Sequence, residues 1–139
     1  MTLRAVTVIR PWSDAVVSGG KRVENRTWKP PEAIVGSVIA LHAGANYERP
    51  HVIPGWKPPA PHESPQGVVA LVRVLGHVTR AVQLPADQWR WFHIADRNFG
   101  WVLELVAVLA RPVPCKGRLS LWHVPQDVER EIARQAGPW

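Results

Sequence analysis

Two stretches of alternating apolar residues limit the fold that this chain can adopt. They are GVVALVRVLGHVT at residues 67–79 and WVLELVAVLA at residues 101–110. Their period of two predicts the two longest strands of a sheet. In the first stretch, the face that carries Val68, Ala70 and Val72 is expected to point into the core.

Shorter segments add further strands and helices. Strands are expected at residues 3–10, 36–44 and 118–124, and residues 21–28 are expected to be extended. Helices are expected at residues 11–18 and 125–136. A long proline-rich loop is expected at 49–65, and a short helix and a loop at 80–97. Both helices are placed by a proline at the start and a glycine at the end. This set of elements predicts an α+β fold, a small mixed β-barrel of about five to six strands with two to three peripheral helices.

Length and composition exclude several classes of protein. The 139 residues are about the length of one domain, so residues 1–139 are expected to form a single domain. Arg73 and Glu104 interrupt the apolar stretches well short of a bilayer span. We expect them to pair across the sheet; the alternative is that Glu104 acts as a catalytic acid or base. With no signal pattern, the protein is expected to be cytoplasmic and not bound to a membrane. The single cysteine, Cys115, excludes an internal disulfide.

Motifs for metal and cofactor binding are absent from the sequence. The six histidines are scattered, and no zinc-protease spacing, phosphate-binding glycine loop, dinucleotide fingerprint or nucleophile elbow occurs. Neither a metal nor a cofactor is therefore expected. No feature of the sequence predicts an oligomeric state.

Positive charge is concentrated in two segments. The formal net charge is +6 at pH 7. Residues 1–29 carry six basic and two acidic side chains, and residues 111–118 carry three basic side chains, including Lys116 and Arg118, and no acidic one. Clustered lysines and arginines favour a polyanionic partner, because neutralising phosphates releases counterions.

The stretch GGKRVENRTW, residues 19–28, combines glycines, basic residues, one acid and a tryptophan. If it is extended, Arg22, Glu24 and Arg26 point to one side and Lys21 to the other. A carboxylate between two guanidinium groups would hold them apart and accept hydrogen bonds from a ligand, while Lys21 would reach a phosphate as a mobile point charge. In the alternative interpretation, Glu24 and Arg26 form an internal ion pair.

Eight tryptophans are available for packing or for stacking. Trp12 and Trp28 flank the basic stretch and would offer flat faces to an unpaired base, unless both belong to the core. Trp101 and Trp122 lie inside predicted strands and are expected in the core. Trp56, in the proline-rich loop, would either fold over a ligand or anchor the loop.

Three blocks of the sequence together carry a family resemblance. RPWSDAVVSGGKRVENRTW contains Gly19, Lys21, Glu24 and Arg26 in the spacing G-x-K-x-x-E-x-R, and it is followed by GSVIALHAG and PVPCKGRLSLW. With these blocks in this order, the chain resembles the ASCH (activating signal cointegrator homology) family. Members of that family carry the same signature, a strand ending in His-Ala, and a closing segment with proline, a basic residue, glycine and tryptophan.

The resemblance implies a PUA-like fold, a small β-barrel whose helices surround a cleft that holds the Lys, Glu and Arg of the signature. Such relatives are generally regarded as RNA-binding or nucleic-acid-binding modules. The expected partner is therefore RNA or single-stranded nucleic acid, including a modified base or nucleoside. The residues expected to bind it are Trp12, Lys21, Arg22, Glu24, Arg26, Trp28, Lys116 and Arg118.

The family that the chain resembles also contains enzymes. Some small ASCH proteins are amidohydrolases that deacylate acetylated cytidine with the signature lysine and a threonine three residues later, and the family includes a ribonuclease activity. Here Glu24 stands in the place of that threonine, and Thr27 is out of register. In a hydrolase acting on a modified nucleoside or on RNA, the catalytic residues would be Lys21 and Glu24. A protein-interaction module, indicated only by the prolines of residues 49–65, is the third interpretation.

Overall fold

The computed structural model describes residues 2–93 and 98–139 and shows one mixed sheet of six strands. The strands are β1 Arg4–Arg10, β2 Val23–Arg26, β3 Val38–Tyr47, β4 Gly67–Val78, β5 Phe99–Val113 and β6 Leu121–His123. Their order in the sheet is β2-β5-β4-β3-β1-β6. β1 and β3 are parallel, and the other neighbouring pairs are antiparallel. The expected strands are present, and the α+β class is confirmed.

Of the five expected strands, β5 and β6 differ most in length from the expectation, and β3 lies two to three residues further along the chain than expected. β5 extends beyond the expected residues 101–110 at both ends. β6 is shorter than the expected residues 118–124, because Ser120 has a φ of +58° and cannot continue an extended strand.

The two longest strands, β4 and β5, form an antiparallel pair. Their register runs from Val68 opposite Val113 to Val78 opposite Gly100, with three shifts that increase the bending and twist of the pair. Within residues 2–93 and 98–139, the edge strands β2 and β6 do not pair with each other. The sheet is therefore open there, not closed into a hydrogen-bonded barrel as expected. Both edge strands are short, which limits the exposed edge without closure.

Two α-helices flank the sheet, α1 Trp12–Ser18 and α2 Gln126–Ala136. Pro11 and Pro125 occupy the N-cap positions and not the expected first helical positions, so each helix begins one residue later than expected. Short 3-10 helices lie in the connections at Glu32–Ile34, Pro61–Glu63, Ala81–Gln83 and Ala86–Trp91. The last two correspond to the short helix expected within residues 80–97, of which 94–97 lie outside the described residues.

Both faces of the sheet are buried. The β4 residues Val68, Ala70 and Val72 are 0% exposed, as expected. Val69 and Leu71 are also only 6% and 0% exposed; a register shift between Val68 and Ala70 places Val69 in one core cluster with Ala70 and Val72, and Leu71 in a second with Val68. The expectation of one buried face is incomplete because a second core cluster, which includes residues of α2, covers the other side of the sheet.

Other expectations about packing are confirmed. Trp101 and Trp122 are core residues, at 1% and 5% exposure. Arg73 lies opposite Glu104 in the β4–β5 register, and Nε of Arg73 is 3.3 Å from Oε1 of Glu104. In the part of the chain that the structure describes, no helix is long and apolar enough to cross a membrane.

Candidate functional site

The turn before β2 brings Lys21 and Glu24 together. Gly20, with a φ of +78°, redirects the chain after α1, and the amide of Lys21 donates to the carbonyl of Ala15 at 3.1 Å. β2 therefore begins only at Val23. The Lys21 ammonium lies 3.0 Å from Oε1 of Glu24 and also donates to the carbonyl of Val23. The expectation that Lys21 and Glu24 point to opposite sides is wrong, because Lys21 precedes the strand.

Glu24 is held between two cations. Its other oxygen, Oε2, lies 3.5 Å from NH1 of Arg26, which also donates to the carbonyl of Thr7 at 3.1 Å. The side chains of Lys21 and Glu24 are 2% and 9% exposed, and that of Arg26 is 17% exposed. The internal ion pair of Glu24 and Arg26 is thus formed, and Lys21 extends it. The Lys21 ammonium is fixed in place and is not a mobile charge.

Arg22 lies outside this cluster. Its NH1 donates to the carbonyls of Val16 and Lys21 at 2.9 and 2.8 Å, and its amide donates to Oε1 of Gln88 at 2.7 Å. The expected arrangement of two guanidinium groups around Glu24 is therefore wrong. Arg22 instead ties the end of α1 to the 3-10 helix Ala86–Trp91.

The side chains of Lys21, Glu24 and Arg26 line a cleft of about 280 Å³. The cleft is also lined by Val8, Ile9, Trp12, Asn25, Glu48, His51, Ile53, Arg90, Trp91, Phe92 and His93. Among the lining residues that the structure describes, with the histidines counted as neutral, three basic and two acidic side chains give a formal charge of +1. The cleft therefore favours an anionic or strongly polar ligand.

Of the two tryptophans expected to stack on a base, Trp12 lines the cleft. It is half-buried, and its Nε1 donates to Oε2 of Glu48 at 3.3 Å. Its ring stacks on that of Trp56, with centroids 6.0 Å apart and an angle of 27° between the planes. This contact anchors the proline-rich loop, which is one of the two roles expected of Trp56.

Trp28 lies outside the cleft lining. It packs edge to face against Trp101, with ring centroids 4.8 Å apart, and its carbonyl accepts a hydrogen bond from Nε1 of Trp101 at 2.8 Å. The guanidinium of Arg26 lies 5.8 Å from the Trp28 ring centroid. In this structure Trp28 packs beside Arg26, and its ring does not line the cleft.

One wall of the cleft, residues 90–93, was missed by sequence reasoning. Asn25 of β2 holds this wall: its Nδ2 donates to the carbonyl of Trp91 at 2.9 Å, and its Oδ1 accepts from the amide of His93 at 3.0 Å. Nε1 of Trp91 is buried without a partner among the described residues. The signal was present in the letters WRWFH, since interleaved aromatic and basic residues are typical of single-strand-binding surfaces.

The opposite wall, formed by residues 48–53, depends on Arg10. This buried guanidinium donates to the carbonyls of Gly44, Ala45, Pro61 and Ser64 at 2.8 to 3.0 Å. It therefore ties the end of β3 and the C-terminal part of the proline-rich loop to β1, and the carbonyl of Arg10 accepts from the amide of Glu48 at 2.7 Å. Nearby, the Ser64 hydroxyl donates to Asp14 at 2.5 Å. Burial raises the pKa of Asp14, and the Ser64 hydrogen bond and the charge of Arg10 offset only part of this effect.

The other two predicted contacts, Lys116 and Arg118, are exposed and lie outside the cleft lining. Their loop, residues 114–120, rests on His42 of β3. Nε2 of His42 lies 2.6 Å from the carbonyl of Cys115, and Nδ1 lies 3.2 Å from Oγ1 of Thr7. Burial lowers the pKa of His42, and the bond to the Cys115 carbonyl opposes only part of this shift.

Among the described residues, no group of three or more His, Cys, Asp or Glu side chains is placed to hold a metal ion. Of the two carboxylates in the described lining of the cleft, that of Glu24 lies between an ammonium and a guanidinium, and that of Glu48 accepts from Nε1 of Trp12. This arrangement suits hydrogen bonding to a polar ligand rather than coordination of a cation.

Comparisons with known proteins identify similar structures. No family model matches this sequence, and no curated protein matches it. The crystal structure of an ASCH protein from Zymomonas mobilis superposes with a TM-score of 0.54 at 16% identity, covering 94% of this chain and 93% of that one. A Tyr-to-Phe mutant of that protein gives a TM-score of 0.55 at 17% identity, covering 96% and 98%.

A Ser-to-Ala mutant of the same protein gives a TM-score of 0.53 at 15% identity, covering 94% of each chain. The three superpositions extend over almost the full length of both chains. At this level of identity, the similarity concerns the path of the backbone. The chain therefore has an α+β fold similar to that of the Zymomonas mobilis ASCH protein.

Proposed function

We propose that this protein binds RNA or another single-stranded nucleic acid, and that the cleft takes one nucleotide of the strand. The observation that carries the proposal is the cluster of Lys21, Glu24 and Arg26 in the wall of a cleft that Trp12 also lines. Charged donors, one acceptor and a flat aromatic ring are the groups that hold an unpaired nucleotide.

The two cations retain hydrogen-bonding capacity for a ligand. An ammonium has three N–H donors, and the contacts of Lys21 with Val23 and Glu24 use two of them. In Arg26, the contacts with Glu24 and Thr7 involve only NH1 among the described residues, so Nε and NH2 are available. Phosphate and base-edge oxygens are the acceptors that such donors recognise.

The size and shape of the cleft favour a single strand. Its volume of about 280 Å³ is near the lower end of the range for small-ligand sites, about 300 to 1,000 Å³. A concave site of this size accepts one unstacked nucleotide. In a duplex, the bases are stacked and paired, so their faces are not available to Trp12.

Binding should be tested by fluorescence anisotropy with labelled single-stranded RNA, single-stranded DNA and duplex at about 50 and 200 mM salt. We expect Arg26→Gln to weaken single-strand binding about tenfold, because charge-assisted hydrogen bonds are lost. Its matched control is Arg134→Gln, which removes the same charge from α2, where the side chain is 75% exposed. Equal affinities for both variants and the unaltered protein would refute the proposal.

A second candidate function, hydrolysis of an acylated nucleoside, rests on the 3.0 Å contact of Lys21 with Glu24 inside the cleft. Glu24 would accept a proton from the attacking water, Lys21 would stabilise the oxyanion, and the amine would leave with that proton. Incubation with a panel of modified nucleosides, followed by mass spectrometry, tests this function. Turnover that is lost in Glu24→Gln would support it, and no turnover of any nucleoside would reject it.

A further inference from the structure

Leu119 is the most exposed of the large hydrophobic residues that the structure describes, at 92% exposure. It lies in the loop of residues 114–120, between Arg118 and Ser120. Ser120 has a φ of +58°, and no other non-glycine residue in the described part of the chain has a positive φ. Left-handed backbone at a residue other than glycine is uncommon, and it concentrates at functional sites.

The loop has a fixed base, so the exposure of Leu119 does not come from a loose segment. Nε1 of Trp122 donates to Oγ1 of Thr7 at 3.1 Å, and Oγ1 is 3.2 Å from Nδ1 of His42. Because indole is only a donor and a carbonyl only an acceptor, this chain of bonds is satisfied when His42 donates from Nε2 to Cys115. A Cβ at Gly117 would be 2.8 Å from Oγ1 of Thr7, so the loop backbone lies directly on this base.

One residue, Thr7, contacts both the loop and a residue of the cleft. The carbonyl of Thr7 accepts the hydrogen bond from Arg26, which lines the cleft, while the side chain of Thr7 supports the loop at Gly117. Thr7 therefore contacts both a cation of the cleft and the backbone of the loop. Lys116 and Arg118 are exposed, and residues 111–121 contain no acidic side chain.

From this juxtaposition we infer that the 114–120 loop is a second contact for the same single strand. Leu119 packs against a base that neighbours the nucleotide in the cleft, and Lys116 and Arg118 contact the adjoining phosphates. The inference rests on the proposed function. Apolar wedges flanked by basic residues are one way in which proteins hold bases. A membrane surface is less suited, because stable anchoring needs more buried apolar area than one leucine provides.

The test compares Leu119→Ser with the unaltered protein on an RNA dinucleotide and on an RNA of about ten nucleotides, at about 50 and 200 mM salt. We expect about fivefold weaker binding of the longer RNA at both salt concentrations, with unchanged binding of the dinucleotide. The control is Val82→Ser, an exposed apolar residue outside the cleft lining, which should leave both affinities unchanged. Unfolding temperatures of both variants should equal that of the unaltered protein.

The cations of the loop are tested through the salt dependence. Replacing Lys116 and Arg118 together by Gln should reduce the slope of log K against log salt by about 1.4 for the longer RNA, since each phosphate contact to a single strand contributes about 0.7. Leu119→Ser should leave this slope unchanged.

The outcomes separate the inference from the proposed function. If the unaltered protein binds no single strand, the proposed function fails and the inference fails with it. If it binds and Leu119→Ser binds equally well, only the inference fails. Binding to phosphatidylserine vesicles that is lost in Leu119→Ser, with RNA binding unchanged, would assign the loop to a membrane surface and overturn the inference.

Discussion

Replacing Glu24 by Gln should destabilise the protein much more than replacing Lys21 by Met. In Glu24→Gln, the Lys21 ammonium stays buried, with only the carbonyl of Val23 and a neutral amide as partners. Removing one partner of a buried ion pair costs about 3 to 5 kcal/mol of stability. Because the amide oxygen of the introduced glutamine can still accept a hydrogen bond from Lys21, we expect Glu24→Gln to cost about 3 kcal/mol. In Lys21→Met, Glu24 keeps Arg26 at 3.5 Å, so the expected loss is about 1 to 2 kcal/mol.

The matched control is the exposed pair of Arg73 and Glu104. Its N–O distance is 3.3 Å, against 3.0 Å for Lys21 and Glu24, but its side chains are 39% and 56% exposed. The two pairs therefore differ mainly in burial. Exposed pairs contribute about 0.2 to 1 kcal/mol, so Glu104→Gln should change the free energy of unfolding by less than about 1 kcal/mol.

Urea unfolding measures these differences directly, with the double variant Lys21→Met/Glu24→Gln closing a thermodynamic cycle. Because Arg26 loses the Glu24 carboxylate in both proteins and the double variant also removes the buried Lys21 ammonium, the double variant should be at least as stable as Glu24→Gln alone. At roughly 4 °C per kcal/mol, Glu24→Gln should lower the unfolding temperature by about 12 °C. Equal losses for Glu24→Gln and Glu104→Gln would contradict the burial argument.

Two further predictions concern stability. Free energies of unfolding should decrease as the pH falls below about 6.5, since His42 has its ordinary pKa of 6.5 when unfolded but a lowered pKa when folded. His42→Gln should weaken this pH dependence in urea titrations between about pH 7.5 and 5.5. The raised pKa of Asp14 has the opposite effect on stability, but it is present in both proteins and cancels when the variant is compared with the unaltered protein. Trp91→Phe should cost less than about 1.5 kcal/mol, because Nε1 of Trp91 has no partner among the described residues. Trp101→Phe should cost about 1 to 3 kcal/mol more than Trp91→Phe, since it leaves the buried carbonyl of Trp28 without its donor. A smaller cost for Trp101→Phe than for Trp91→Phe would disprove this.

Much of the sheet was predictable from local patterns. The period-two stretches became β4 and β5, and the tryptophans inside predicted strands, Trp101 and Trp122, became core residues. Closure of the sheet was not predictable in the same way. Whether two edge strands meet depends on the bulges and twist accumulated across every pair between them, and no single segment encodes that sum.

The candidate site was predictable only in part. The spacing of Lys21, Glu24 and Arg26 marked the right stretch, and Trp12 lies in the same cleft. Strand alternation wrongly predicted that Lys21 and Glu24 point to opposite sides, because the positive φ of Gly20 places Lys21 in a turn rather than in β2. Trp28, assigned to stacking, packs on the core instead.

The amino-acid sequence by itself determined where strands and helices form, because alternation, prolines and glycines act over a few residues. It also determined the chemistry of the site, since the only carboxylate in residues 19–28 is Glu24, with basic side chains on both sides. Only the tertiary structure decided that Glu48, whose amide donates to the carbonyl of Arg10, and residues 91–93, held by Asn25, lie in the walls around that carboxylate. These contacts join segments that are far apart in the chain, and their geometry exists only once the sheet has packed.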